Sequence, residues 1–144
     1  MNKKRGLEPM FKKCREVATR AHFGQARFNG GPYINHPISV AGKFKEEKLK
    51  CIAILHDVIE DTVYNSNQLL SEGISKEIVE VVSILSRKKG EPYTQFIMRV
   101  CENQDAIRVK IADIEHNLSD LKEGSLKDKY GLALIILKMR CKDE

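Results

Sequence analysis

Apolar residues recur along this chain at intervals of three and four. Phe11, Cys14, Val17, Ala18 and Ala21 set the pattern, which predicts a first helix from about Glu8 to Phe23 that stops near Gly24. A glycine-rich turn, Asn29-Gly30-Gly31-Pro32, follows with Tyr33 behind it. Asn35 is placed to cap a second helix carrying His36 and Pro37 in its first turn. Further helices are predicted at about Lys48–Glu60, Asn67–Ser71 and Lys76–Ser86. The turn Lys89-Gly90-Glu91-Pro92 separates these from helices at about Tyr93–Glu102, Asp105–Leu121 and Leu126–Met139, with Gly124 or Ser125 dividing the last two. Alternating runs of Val, Ile and Thr are missing, so strands are not expected. The pattern predicts an all-α bundle with short connections. No repeat, low-complexity tract or Pro/Gly/Ser-rich linker interrupts it, so residues 1–144 are expected to form a single domain.

Composition narrows the class. An apolar fraction of 42% with 31% charged residues predicts a folded, soluble chain. No apolar run approaches the roughly 20 residues of a bilayer span. The basic N-terminus, MNKKRGLEPMFKK, has no apolar stretch behind it. The expectation is a cytoplasmic protein, neither membrane-bound nor secreted. The net charge of +5 is concentrated at the ends, in Lys3, Lys4, Arg5, Lys12 and Lys13 and in Lys138, Arg140 and Lys142. Aromatics are 6% and Trp is absent. A basic stripe with interleaved aromatics is therefore missing, which argues against nucleic acid. A small anionic substrate such as a nucleotide suits the charge. Cys14, Cys51, Cys101 and Cys141 form no CxxC pair and are expected to be reduced, packed thiols. The apolar stretch Leu132–Leu137 can pack internally or against another subunit, so a homo-oligomer stays open.

The chemistry begins at Cys51-Ile52-Ala53-Ile54-Leu55-His56-Asp57-Val58-Ile59-Glu60-Asp61-Thr62. Taken as one helix turning about 100° per residue, His56, Glu60, Asp57 and Asp61 share an arc of roughly 140°. Ile52, Leu55 and Ile59 occupy the other side. Three carboxylates this close repel one another, and in a partly buried site some would hold protons. A divalent cation relieves that repulsion. Histidine with aspartate suits Mn²⁺, Fe²⁺ or Zn²⁺, and oxygen-rich surroundings tilt the choice toward Mn²⁺. The competing reading is an exposed acidic helix end with a satisfied histidine.

A second segment, Val109–Leu118, carries the apolar stripe Ile111, Ile114, Leu118 and Leu121. Asp113 and Asn117 stack four apart on the polar side, flanked by Lys110 and Asp120. Alone, this is an ordinary amphipathic helix with His116 on its surface. A third segment joins His22-Phe23-Gly24-Gln25-Ala26-Arg27 to Gly30-Gly31-Pro32-Tyr33-Ile34-Asn35-His36-Pro37. A loop this rich in Gly and Pro can aim a histidine at a site, and Arg27 is a natural partner for a phosphate or a guanine face.

In this order, the motifs HFGQAR, GGPYINHP, ILHDVIEDT and VKIADIEHN resemble the HD-domain metal-dependent phosphohydrolases. The match is closest to the RelA/SpoT-type hydrolase branch, including its small single-domain alarmone hydrolases, and runs from about Ala18 to Leu121. The resemblance implies an all-helical HD fold and a metal, expected to be Mn²⁺, held by His36, His56, Asp57 and Asp113. It implies that Glu60 and Asp61 position or activate the attacking water. It also implies that Arg27 contacts the guanine base and Asn117 the nucleoside sugar. Tyr33 and Lys110 lie in matching motifs without an assigned contact. The implied reaction is the 3′-pyrophosphohydrolysis of guanosine-3′,5′-bis(diphosphate), releasing pyrophosphate from (p)ppGpp. No segment resembles the synthetase half of the long bifunctional enzymes, so hydrolysis alone is expected.

Two positions depart from that pattern. Phe28 stands where the long enzymes often carry a basic residue. Ser119, followed by Asp120, stands where they carry an arginine. These departures keep open an HD phosphohydrolase acting on another nucleotide or phosphoester. A non-catalytic regulatory protein would be marked by a broken ligand set, and none of the four ligands is missing.

Overall fold

A computed structural model describes residues 8–28, 30–121 and 124–142. Asn29 of the predicted turn and the basic residues Lys3, Lys4 and Arg5 lie outside the described residues. The described chain forms helices α1 (Pro9–Ala21), α2 (Asn35–Ala41), α3 (Glu47–Leu55), α4 (Val58–Asp61), α5 (Ser66–Ser71), α6 (Lys76–Ile84), α7 (Tyr93–Val100), α8 (Gln104–Asp120) and α9 (Ser125–Arg140). No strand occurs among the described residues beyond one isolated antiparallel bridge between Ala26 and Pro32. The all-α expectation agrees with this architecture. No helix among the described residues is long and apolar enough to cross a membrane.

Helix α3 lies at the centre. Cys51, Ile52, Ala53, Ile54 and Leu55 are consecutive and all buried, as expected of a helix that is apolar all round. Helices α1, α2, α6 and α8 pack around it. Its first residue also organises its neighbour, because Glu47 Oε2 accepts from the backbone N–H groups of Met10 and Phe11, each at 3.1 Å. A carboxylate thus satisfies donors that the first turn of α1 leaves free. Asn103 caps α8 by accepting from the Ala106 N–H at 2.9 Å. Asn65 and Gln68 form a reciprocal capping box on α5. All four cysteines are free; Cys14 and Cys51 are buried, and Cys101 and Cys141 are half-buried.

Two sequence expectations are corrected. Asn35 does not cap α2; it is the first helical residue, Ile34 precedes it, and no side chain caps this end. The helix expected over Lys48–Glu60 is interrupted. Helix α3 ends at Leu55, and the four-residue α4 starts at Val58. Asp57 between them has φ −104° and ψ 0°, in the bridge region next to the helical well. The single-helix arc for His56, Asp57, Glu60 and Asp61 therefore does not hold.

Helix α9 packs against α8 through Ala133 and Leu137. Its opposite face leaves Leu132, Ile135 and Met139 exposed.

Candidate metal centre and nucleotide pocket

The break after α3 lets two adjacent side chains meet. In a continuous helix, neighbours point about 100° apart. Here His56 Nε2 and Asp57 Oδ2 lie 3.1 Å apart. Helix α2 brings in His36, and one ligand atom from each of His36, His56 and Asp57 lies within 4.8 Å of the others. Helix α8 adds Asp113, whose Oδ1 is 2.8 Å from His36 Nε2 and 3.2 Å from His56 Nε2. Three separate elements thus supply the four residues expected to hold a metal. His36, His56 and Asp113 are each at most 3% exposed, so the histidine of the HD pair sits inside the fold, while the acidic end of the segment, Glu60 and Asp61, stays exposed.

The proton positions follow from the partners. His56 Nδ1 lies 2.6 Å from the Ala53 carbonyl, which can only accept, so Nδ1 carries a hydrogen and the neutral ring keeps its lone pair on Nε2. His36 Nδ1 faces His116 Nδ1 at 2.7 Å. With His36 Nδ1–H as donor, its Nε2 is likewise an acceptor turned toward Asp113. With both rings neutral in these tautomers, two imidazole lone pairs and two carboxylates face one another, and that arrangement needs positive charge between them. A divalent ion suits that donor set, and a proton on an imidazole is the alternative. The titration directions show the same demand. Burial opposes charge on His56, yet Asp57 and Asp113 hold its pKa well above the ordinary value. Burial would push Asp57 up, but His56 holds it down to about 2. Burial also opposes ionisation of Asp113, but Lys110 and then His56 keep it well below the ordinary value.

A cleft of about 250 Å³ opens beside these groups, lined by residues that include Asp57, Glu60, Asp61, Asp113 and Asn117. Glu60 and Asp61 sit at its exposed rim. Loss of hydration against the pocket wall raises both carboxyls. Asp57 adds to the effect, and Asp61 reaches about 6. Glu60 Oε1 accepts from the Arg87 N–H at 2.9 Å. Tyr33, which the motifs left without a contact, donates its hydroxyl to Asp57 Oδ2. Lys110 donates to Asp113 Oδ2 at 2.8 Å. Asn117 donates to Asp113 Oδ1 at 3.2 Å.

Arg27 lies at the other side of the cleft. It is 7% exposed and donates through Nη2 to Asn117 Oδ1 at 2.8 Å and to Asp120 Oδ2 at 3.1 Å. Its guanidinium sits 4.4 Å from the Phe28 ring centroid. Asp120 therefore occupies part of the charge on Arg27, while Phe28, mostly exposed, presents a flat apolar face.

Several site groups escaped the sequence reading. His116, expected on the helix surface, is half-buried and lies against the His36 ring. Its place three residues after Asp113 on the same helix was the available signal. Arg87 and Lys129 also line the cleft. Their cationic groups lie 5.5 Å and 4.2 Å from the Tyr93 ring centroid, and neither pairs with a carboxylate among the described residues. No local motif marks them.

No protein-family model matches the chain. It is 38% identical over 138 residues to the bifunctional (p)ppGpp synthase/hydrolase SpoT of Escherichia coli K12, covering 83% of this chain and 19% of that protein. It is 38% identical over 125 residues to the guanosine-3′,5′-bis(diphosphate) 3′-pyrophosphohydrolase of Haemophilus influenzae, covering 77% of this chain and 18% of that protein. The chain thus spans about a fifth of the length of the curated relatives it matches. A solved structure of a metazoan ortholog of SpoT that hydrolyses ppGpp and plays a role in starvation responses matches with a TM-score of 0.75. That match is at 22% identity, over 94% of this chain and 87% of the other, and it carries the fold. With its HD pair at the helix break and its sequence match to the SpoT proteins, the chain is homologous to the RelA/SpoT-type proteins over about a fifth of their length.

Proposed function

We propose that this chain is a metal-dependent hydrolase that removes pyrophosphate from the 3′ position of (p)ppGpp. The observation that carries this reading is one cleft in which a buried His/His/Asp/Asp cluster meets an acidic pair and a set of cations. His36, His56, Asp57 and Asp113 would hold the divalent ion, with Mn²⁺ as the expected one. Its Lewis acidity would acidify a water and neutralise charge on a phosphate oxygen.

The remaining steps belong to the chain itself. Glu60 or Asp61 takes the proton of the attacking water; a carboxyl near 6 is a better acceptor at neutral pH than an ordinary aspartate. The new bond joins the water oxygen to phosphorus, and the bond from phosphorus to the 3′ oxygen breaks. The 3′ oxygen gains a proton, leaving GDP from ppGpp, or GTP from pppGpp, together with pyrophosphate. Arg87, Lys110 and Lys129 supply cationic charge on the cleft wall. Phe28 and Arg27 offer a stacking surface for a base, and Asn117 lies beside them for the sugar.

A second reading is a phosphohydrolase acting on another nucleotide or phosphoester. The Asp120 carboxylate on Arg27 favours it, because that pairing reduces the positive charge available at the base end. The test is incubation of the protein with Mn²⁺ and guanosine 3′,5′-bis(diphosphate) beside an Asp57→Ala control. Release of pyrophosphate and GDP that the substitution removes supports the first reading. A metal-loaded protein that leaves this nucleotide intact but cleaves a member of a nucleotide panel supports the second.

A further inference from the structure

His22 and Gln25 lie in the HFGQAR motif but have no part in the mechanism above. His22 is 2% exposed, and its Nε2 is buried without a hydrogen-bond partner. The reason lies in α4. This helix has four residues, too few to be stable by its own hydrogen bonds. Its last carbonyl, on Asp61, has no partner within the helix. Gln25 Nε2 donates to that oxygen at 2.9 Å from across the fold.

The direction of this bond determines the rest. A carbonyl can only accept, so the Gln25 amide must turn its nitrogen to Asp61 and its oxygen the other way. Gln25 Oε1 lies 2.8 Å from His22 Nδ1, which must therefore carry the hydrogen. A buried Nε2 with no acceptor beside it is best left without a hydrogen, so with Nδ1 protonated the ring is neutral. Burial favours the neutral ring as well, lowering its pKa. Gly24, at φ +86°, lets the chain double back so that the Gln25 N–H bonds to the His22 carbonyl at 3.0 Å.

The same loop reaches the other end of α4. Tyr33 bonds through its N–H to the Gln25 carbonyl at 2.8 Å. Its ring centroid lies 4.9 Å from that of His22, and its hydroxyl donates to Asp57, the residue immediately before α4. We propose that His22 and Gln25 are positioning residues that, with Tyr33, grip both ends of α4 and aim Glu60 and Asp61 into the cleft. The proposal rests on the hydrolase reading above for its effect on turnover, but its geometry can be tested without any substrate.

The experiment has two arms. In the first, ¹⁵N NMR of the intact protein reads the His22 tautomer. A hydrogen on Nδ1 is expected, and a hydrogen on Nε2 overturns the clamp. In the second, pyrophosphate release is measured with Mn²⁺ and guanosine 3′,5′-bis(diphosphate). Gln25→Leu and His22→Leu are each expected to lower kcat by about tenfold or more, as displaced supporting groups do. KM and the divalent-metal affinity measured by calorimetry should stay within about twofold in these variants. His22→Asn, which keeps a donor near the Nδ1 position, should restore turnover, whereas His22→Gln, which places its amide near Nε2, should not. The double substitution should fall no further than Gln25→Leu alone. Unchanged kcat in Gln25→Leu, or rescue by His22→Gln and not by His22→Asn, overturns the proposal. A wild-type protein that releases no pyrophosphate sinks the hydrolase reading instead, and the tautomer still decides the clamp.

Discussion

Helices α3 and α4 on one side and α8 on the other both carry charged site residues, but they deliver them differently. Helix α8 is continuous for 17 residues. Its Lys110, Asp113, His116, Asn117 and Asp120 follow helical spacing and fall on one side. The segment from Ile52 to Thr62 breaks at His56 and Asp57, and the break is what allows two adjacent candidate ligands to converge. Periodicity can set residues three and four apart on one face. It cannot aim neighbours at a single point, so a pair of adjacent ligands demands an interruption. The consequence is that α8 stands on its own hydrogen bonds, whereas α4 depends on side chains from elsewhere.

The sharpest test of this contrast compares Asp113→Ala with Asp57→Ala. Both should abolish divalent-metal binding in calorimetry, and with it activity. Asp113→Ala should also destabilise the fold by about 3 kcal/mol or more, because it leaves the largely buried Lys110 ammonium without its 2.8 Å partner. Asp57→Ala should lower the melting temperature less, since the partners it strands, the His56 imidazole and the Tyr33 hydroxyl, can both be neutral, whereas the Lys110 ammonium stays charged. Equal losses of stability would erase the distinction between the two sides.

Glu60→Gln separates holding the metal from moving the proton. It should leave metal affinity in place and lower kcat by about a hundredfold or more. Near-full turnover at saturating metal would remove Glu60 from the proton step and leave Asp61 as the acceptor. His116→Ala tests the continuous helix from its other face. The His36 ring loses its orienting partner, and metal affinity should weaken by about tenfold to a hundredfold. An unchanged affinity would make the His36–His116 contact incidental.

The smallest effect lies away from both segments. Glu91 is held down to about 2, first by its bonds with Arg99 and then by the Lys88 N–H. Arg99 also donates to the carbonyls of Ile84 and Ser86, so the pair secures the loop that carries Arg87. A carboxyl whose folded pKa is depressed contributes stability above its unfolded value, near 4.5, and loses it as pH falls toward 2. Melting curves from neutral pH downward should therefore show a shallower acid decline for Glu91→Gln than for the wild type.

How much of this could be read beforehand differs from residue to residue. The apolar spacing located α1, α6, α7, α8 and α9 to within a few residues. The HD pair marked the helix end at which the candidate ligands gather, but helical spacing gives no sign that the helix stops there. Its apolar stretch, Cys51 to Leu55, runs straight into the break without a Gly or Pro to signal it. His116 looked like surface because its partner is 80 residues away. Arg87 and Lys129 carry no local signature; only the packing of α7 and α9 brings them to one tyrosine ring.

The chain's periodicity by itself determined an all-helical protein, because spacings of three and four residues are a local consequence of burying one face of a helix. Its motifs by themselves named the chemical groups: two histidines, two aspartates, an acidic pair and an arginine. The tertiary structure alone decided which atoms of those groups meet. The turn of the chain at Asp57, the carbonyl of Ala53 behind His56 and the amide of Gln25 on Asp61 belong to the folded arrangement, the last joining segments 36 residues apart. Proton placement follows from which partner can only accept, and that is a property of the folded arrangement and not of any stretch of sequence.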